Sequence, residues 1–389
     1  MALNQVPAST RGGSFSARIP SGSSGVTYTF NNRFETGPYV VTQNQAASFA
    51  LGGTTVSTTS FTLLNVSTAT SSISIDTSPI ASWTNSVADI SSVITGNYYR
   101  PTVVNGYLYV AGTQGWARTS DGTTWSAAGS LQGVESNIGY VSSTGTYVTG
   151  AYTSPDSLGR IYSSGDGVNW TSRISGTGGA AGRPPKAIAT STGSTQKVVV
   201  TGNSGHTYWS TNGTSWSGNT QLPNLGNGCA SNNTTYVIVG ESSTYRTSNT
   251  GDSWGGSTIG SGIAWRWVAH GGGLFVVVGS GGNLYTSTDG SSWTQRTSGT
   301  SSALNHVSYD ASATYPWMAI TDGSQAIFST NGTTWISRLT GGGSGIAYFA
   351  GKYRAIGSGG YRSAASIDGV LTSDLIVNFI GPSESKTLS

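Results

Sequence analysis

Charge is what this sequence has least of. Lys, Arg, Asp and Glu together make up 8% of its 389 residues, against roughly a quarter in ordinary globular domains. The net charge of +3 is spread thinly, with no run of Lys or Arg, which argues against nucleic acid or an anionic membrane surface as partner. There is one cysteine, Cys229. That excludes an internal disulfide and any Cys-rich metal site, and leaves Cys229 as a small buried apolar residue. The three histidines, His206, His270 and His306, show no metal-ligand spacing, so neither metal nor cofactor is expected. No segment approaches the roughly 20 apolar residues of a spanning helix, and membrane insertion is not expected. Met1–Pro7 has neither a basic nor an apolar signal region, so synthesis in the cytosol without a secretory leader is expected.

Glycine (57 copies), serine, threonine and asparagine fill the space left by charge. Such a composition suits disorder, but 12 Trp and 19 Tyr do not. Disordered chains lack the aromatics and β-branched residues needed to offset ordering entropy by burial. Here both occur in short bursts between turn residues, the pattern of an all-β chain.

A repeat runs through most of the sequence. Its copies are Ser120-Asp121-Gly122-Thr123-Thr124-Trp125, Ser164-Gly165-Asp166-Gly167-Val168-Asn169-Trp170, Ser210-Thr211-Asn212-Gly213-Thr214-Ser215-Trp216, Thr247-Ser248-Asn249-Thr250-Gly251-Asp252-Ser253-Trp254, Ser287-Thr288-Asp289-Gly290-Ser291-Ser292-Trp293 and Ser329-Thr330-Asn331-Gly332-Thr333-Thr334-Trp335. A degenerate copy, Ser366-Ile367-Asp368-Gly369-Val370-Leu371-Thr372, has Thr372 in place of Trp. The intervals from Trp125 to Thr372 are 45, 46, 38, 39, 42 and 37 residues, the period of propeller blades. Within 265–296 four strands can be read: Trp265–Ala269, the apolar run Leu274–Val278, Asn283–Ser287 and Trp293–Arg296. The expected fold is all-β, with about seven blades over 95–380, preceded by a small β domain over 1–85 and followed by a tail at 381–389.

The repeat has a physical purpose. The acceptors Asp121, Asp166, Asn212, Asn249, Asp289, Asn331 and Asp368 are expected to take hydrogen bonds from backbone N–H groups of their own turn. Glycine takes the left-handed position, and Trp opens the outer strand. Asn at three of the seven positions argues for a structural acceptor, since Asn is no general acid.

These copies resemble the Asp-box of sialidases and related propellers, Ser-x-Asp-x-Gly-x-Thr-Trp. Only the copy at 247–254 has the full spacing; the others are one residue short, a form similar to repeats of bacteriophage tail and other virion propellers. The run Phe30–Val41 followed by Ser60–Asn65 resembles the H-type lectin-like β-sandwiches of phage tail proteins. These likenesses imply a non-enzymatic virion protein of the tail (fibre, baseplate or receptor-binding apparatus). The N-terminal sandwich would attach or oligomerise, with a trimer favoured. Partners would be other virion proteins and a host-surface glycan bound by the propeller. Outside the repeat position, Trp265, Trp267, Trp317 and Tyr361 are the candidate ligand-stacking aromatics, with core packing as the alternative.

Two other readings compete. A sialidase-like hydrolase would need an arginine cluster and a carboxylate pair. Arg18-Ile19-Pro20 has the family's letters in the wrong domain, and Tyr99-Arg100-Pro101 has the right place without Ile. Glu135, Glu241, Asp156, Asp310 and Asp322 are the available carboxylates, and no catalytic residue is assigned. A purely structural or decoration virion protein would carry no ligand. Ser82-Trp83-Thr84 is either linker or the outer strand that closes the ring.

Overall fold

The computed structural model describes residues 84–85 and most of 90–364, the longest gap being 176–184, together with strand backbones within 14–76 and at 375–380. The chain divides into two compact units, Met1–Ser82 with Ser366–Ser389, and Trp83–Ala365.

The larger unit is a β-propeller built from consecutive antiparallel sheets, designated I to VII. They occupy 98–127, 139–175, 185–221, 225–248, 265–296, 304–340 and 345–364. Six of them are complete four-stranded blades, and sheet IV has three strands. The expectation of about seven regular blades is corrected to that extent. In sheet IV the outer strand is reduced to two isolated bridges, Thr244 with Thr258 and Thr247 with Gly255.

The second strand of each sheet explains the core. Leu274-Phe275-Val276-Val277-Val278 has no polar face, and Phe275 to Val278 are all fully buried. A strand covered on both sides by neighbouring sheets needs apolar residues at both parities. Val198–Val200, Val237–Val239 and Met318–Ile320 repeat the pattern and are equally buried. The largest buried side chains, among them Trp116, Trp265, Trp317 and Tyr353, fill the wedges between sheets. Cys229 is buried, as expected, and burial pushes its thiol pKa upward.

Thr84–Asn85 supplies the outer strand of sheet VII, pairing with Ser363 and Arg362. The ring is therefore closed by chain from before sheet I, which decides the role of the Ser82–Thr84 stretch. Correspondingly, the residues after sheet VII leave the propeller. Leu375–Ile380 pairs antiparallel with both Ser14–Ile19 and Tyr39–Gln43. The expected boundaries of 95–380 and a separate 381–389 tail are corrected accordingly: 366–389 group with the N-terminal residues. An apolar run announces a strand but not its partner. The smaller unit contains two four-stranded sheets, one of which holds that C-terminal strand. The side chains that would define a sandwich there, and Asp368 with its copy of the repeat, lie outside the described residues.

Candidate functional site

The repeat is a turn with a constant hydrogen-bond pattern. In the first copy Asp121 Oδ1 accepts from the N–H groups of Thr123 and Thr124, both at 2.7 Å. Thr119 Oγ1 accepts from Gly122 N at 2.8 Å and donates to Asp121 Oδ1 at 2.9 Å. Asp166 with Ser164, Asn212 with Ser210, Asp289 with Ser287 and Asn331 with Ser329 repeat the arrangement. The anchoring hydroxyl is two residues before the acceptor, so in the first copy it is Thr119 rather than Ser120.

Sheet IV corrects one assignment. Ser248 Oγ accepts from Thr250 N and Gly251 N, which puts Thr250, not Asn249, at the acceptor position. Asn249 Oδ1 instead accepts from Thr235 Oγ1 at 3.2 Å. The apparent extra residue in this copy is thus a frame effect: Ser248-x-Thr250-Gly251 matches Ser210-x-Asn212-Gly213. Thr250 Oγ1 donates to Asp252 Oδ1, and this is the sheet that lacks a regular outer strand.

The turns also join neighbouring sheets. Side chains of one sheet donate to turn carbonyls of the next: Arg118 to Asp166 O at 2.8 Å, Thr144 to Asn212 O at 3.1 Å, Lys197 to Thr250 O at 2.7 Å, Tyr245 to Ser291 O at 2.9 Å, and Arg354 to Gly122 O at 3.2 Å. The last contact spans the point where sheet VII meets sheet I. Gly290 shows why the motif needs glycine: its φ is +78°, and a Cβ there would stand 2.8 Å from Val237 Cγ2 of the preceding sheet.

Three turn carboxylates are held well below the usual range, chiefly by the backbone N–H groups they accept: Asp121, Asp166 and Asp289. A folded pKa below the unfolded one stabilises above the unfolded value of about 3.9, and that contribution is lost as pH falls. The triple variant Asp121→Asn, Asp166→Asn, Asp289→Asn keeps every acceptor but cannot titrate. Its urea midpoint is expected to lie somewhat below that of wild type at pH 7 and to fall less between pH 4 and about pH 2. Parallel acid limbs for the two proteins would refute the carboxylate account.

The axis of the propeller carries the chemically distinctive residues. The inner strands of six sheets, with Asn137 just before sheet II, line one cavity of about 280 Å³. Near the ends of those strands its lining includes half-buried His270, Tyr309 and Tyr348, and Tyr140 holds the corresponding place in sheet II outside the lining. Each faces another ring across the hairpin: Tyr140 opposite Tyr147, His270 opposite Phe275, Tyr309 opposite Trp317, and Tyr348 opposite Tyr353. Ring centroids in these pairs are 4.8, 4.7, 4.9 and 4.9 Å apart. Cross-strand aromatic pairs fix ring orientation without a ligand. Ser231, Ser308 and Asp310 place polar groups between them.

The other end of the inner strands is polar. Five of them carry a β-bulge near their start, at Arg100–Pro101, Lys186, Gly226–Asn227, Arg266 and Asn305. Arg100 crosses the axis. Its Nη1 donates to Lys186 O of sheet III, and its guanidinium lies 4.2 Å from the Trp267 ring centre of sheet V. Trp267 stacks with His306 of sheet VI at 5.1 Å. Burial, reinforced by the charge on Arg100, pushes the His306 pKa down to about 3, so the ring is neutral at physiological pH. Trp267 and His306 both line the cavity, and Arg100 packs against Trp267.

Of the four candidate aromatics, Trp267 lines the cavity, and at 5% exposure its ring is mostly packed. Trp265 (0%) and Trp317 (1%) are core residues, contrary to a ligand role. Trp265 donates from Nε1 to Ile259 O and packs edge-on against Tyr285. Tyr361 lies on Gly360–Ala364 opposite Ile356, and its side chain is outside the described residues. Sequence reading missed Tyr140, His270, Tyr309 and Tyr348, although each closes an inner strand just before a hairpin.

Asp310 holds its own turn, accepting from Ser312 N at 2.8 Å. Glu241 accepts from Asn227 Nδ2 at 2.7 Å. Because one follows a first strand and the other a second strand, they stand at opposite ends of the sheets. Asp322 is exposed, and Glu135 and Asp156 are outside the described residues.

No described protein family matches the sequence, and no curated protein matches it. Solved structures do. YCF48 bound to D1 peptide is 15% identical with a TM-score of 0.52, the match covering 69% of this chain and 92% of that one. A GH74 xyloglucanase from Xanthomonas campestris is 12% identical with a TM-score of 0.53, over 71% of this chain and 52% of that one. BBS1N in complex with ARL6DN is 10% identical with a TM-score of 0.52, over 77% and 97%. Likeness at this level establishes the β-propeller fold and nothing finer.

Proposed function

We propose that this chain is a non-enzymatic bacteriophage virion protein of the tail, and that its propeller recognises a host-surface glycan at the aromatic mouth of the axial cavity. The observation that carries the recognition reading is that His270, Tyr309 and Tyr348 line the cavity, half-buried and each held by a partner ring. Rings fixed in this way offer flat apolar faces to sugars, while short polar side chains between them can bond hydroxyls. The placement of Asp310 and Glu241 at opposite ends of the sheets supports binding over two-carboxylate hydrolysis, which needs both groups at one bond. The virion assignment draws on the resemblance of the turn repeat to shortened Asp-boxes and on the Gly/Ser/Thr-rich, charge-poor composition. In this reading the smaller unit attaches the chain to other virion proteins as a trimer, through a sandwich of the H-type lectin-like kind.

The test is a glycan array and whole-cell binding assay with the full chain, with hydrolysis products followed in the same wells. Binding without turnover is expected. The double variant Tyr309→Ala, Tyr348→Ala should weaken it about tenfold or more, the factor that about 1.4 kcal/mol represents, with the β-sheet circular dichroism spectrum retained at the assay temperature. Turnover would overturn the non-enzymatic reading. Absence of binding would leave a structural or decoration role as the better account.

A further inference from the structure

The cavity is sparing in charge. Of the described residues that line it, Asp310 is the one Asp, Glu, Lys or Arg. The other titratable lining groups on the inner strands are kept neutral by burial. It pushes the His270 pKa below 6.5 and, with the charge of Arg100, that of His306 to about 3. It also raises the Cys229 thiol, which stays protonated. Arg100 acts at His306, near the start of the strand Leu304–Tyr309, whereas Asp310 follows the end of that strand. Along an extended chain that separation is roughly 13 Å, beyond the Debye length of about 8 Å at physiological salt. The guanidinium therefore does little to offset the carboxylate.

Asp310 is half-buried and held in place. Its Oδ1 accepts from Ser312 N at 2.8 Å and from Ser312 Oγ at 2.6 Å, and its own N donates to Pro316 O at 2.8 Å. Its Oδ2 has no partner among the described residues. The ring before it is fixed as well. Tyr309 packs on Trp317 at 4.9 Å and lies so close over sheet V that a Cβ on Gly271 would stand 2.1 Å from Tyr309 Cγ. Tyr348 of sheet VII lines the same cavity, held against Tyr353 at 4.9 Å. A steadied carboxylate with a spare oxygen, in a cavity that two tyrosines share, has the chemistry to receive an ammonium group. The carboxylate supplies opposite charge and strong acceptors, and aromatic faces attract cations. An anionic group brought to the same place would meet a like charge.

We infer that the cavity selects an amino sugar, whose ammonium group pairs with Asp310 Oδ2 while its ring lies against Tyr309 and Tyr348. A volume of about 280 Å³ is just below the usual range of ligand sites and suits one sugar ring. This inference rests on the glycan reading above and adds to it the charge of the sugar.

The test is saturation-transfer NMR titration of the full chain at about pH 6, below the pKa of an α-amino group. The ligands are glucosamine and galactosamine, their neutral parents glucose and galactose, and the acidic glucuronate and galacturonate. At least one hexosamine is expected to bind about fivefold more tightly than its parent, the factor of about 1 kcal/mol for a partly solvated ion pair. The uronates should bind most weakly. Asp310→Asn keeps an Oδ1 acceptor for the turn and should bring the hexosamine to the level of its parent. Added salt should narrow the preference in the wild type, a readout that needs no variant to fold. Equal binding of hexosamine and parent by the wild type would overturn the inference and leave the glycan reading standing. A preference that survives in Asp310→Asn or is indifferent to salt would also overturn it, as would uronates bound as tightly as hexosamines. Binding of none of these sugars would overturn the glycan reading itself, and this inference with it.

Discussion

Trp267→Ala is expected to lower the unfolding free energy by about 3–5 kcal/mol, the range for deleting a large aromatic from a packed site. The ring is 5% exposed. It carries the Arg100 guanidinium 4.2 Å from its centre and stacks with His306 at 5.1 Å. Removing it leaves a void where three sheets meet and strips the cation of its aromatic face, a contact worth about 0.5–2 kcal/mol by itself. Urea unfolding measures the cost. Trp267→Phe keeps a ring under Arg100 and should retain most of the stability. A loss below about 1 kcal/mol for the alanine variant would mean that the axis can collapse around the missing ring. Trp267 would then be free to serve as a ligand platform rather than a structural floor. Glycan binding by Trp267→Phe separates these roles from the other side: binding lost at intact stability would make the indole a contact.

Arg354→Met should cost roughly 2–4 kcal/mol, from a charged hydrogen bond lost and carbonyls left buried without a donor. Arg354 is 2% exposed. It donates from Nη1 to Gly122 O and from Nε to Phe349 O, both at 3.2 Å. The Gly122 contact joins the last sheet to the first, beside the closure that Thr84–Asn85 makes by pairing with sheet VII. Arg118 makes the analogous contact from sheet I to the turn of sheet II, but is half-buried. Arg118→Met should therefore cost clearly less, because water can replace what the side chain gave up. Denaturant midpoints for the two variants make the comparison directly. Equal losses would show that burial does not distinguish the closure contact from the others.

How much of this was legible beforehand depended on the range of the interaction. The turn repeat was readable because its chemistry is local. Asp121, its anchoring Thr119 and the N–H groups of Thr123 and Thr124 lie within six residues of one another. Even so, the frame of the copy in sheet IV was misread: Asn249 matched a spacing, whereas Ser248 selected Thr250 through its hydroxyl. The middle strands were readable from runs such as Leu274–Val278, since burial on both faces demands apolar residues at both parities.

The candidate site was mostly illegible. Trp265 and Trp267 sit two apart on one inner strand, yet one is wedged between sheets against Tyr285 and the other faces the axis. The bulge at Arg266 between them breaks the alternation on which a sequence reading of facing depends. Likewise, Arg100 was visible in the sequence only within Tyr99-Arg100-Pro101, and nothing there tied it to Lys186. The axis brings them together through a contact between residues 86 positions apart.

By itself, then, the sequence determined an all-β propeller, the chemistry of its turns and the identity of its buried middle strands. These rest on period, turn acceptors and apolar runs, all of which act within a few tens of residues. Tertiary structure alone decided that Thr84–Asn85 closes the ring and that Leu375–Ile380 pairs outside it. It also brought Arg100, Trp267 and His306 from three sheets into contact. Strand edges accept any extended partner that reaches them, and ring closure sets which segments arrive. A cavity acquires its lining only when inner strands from several sheets converge.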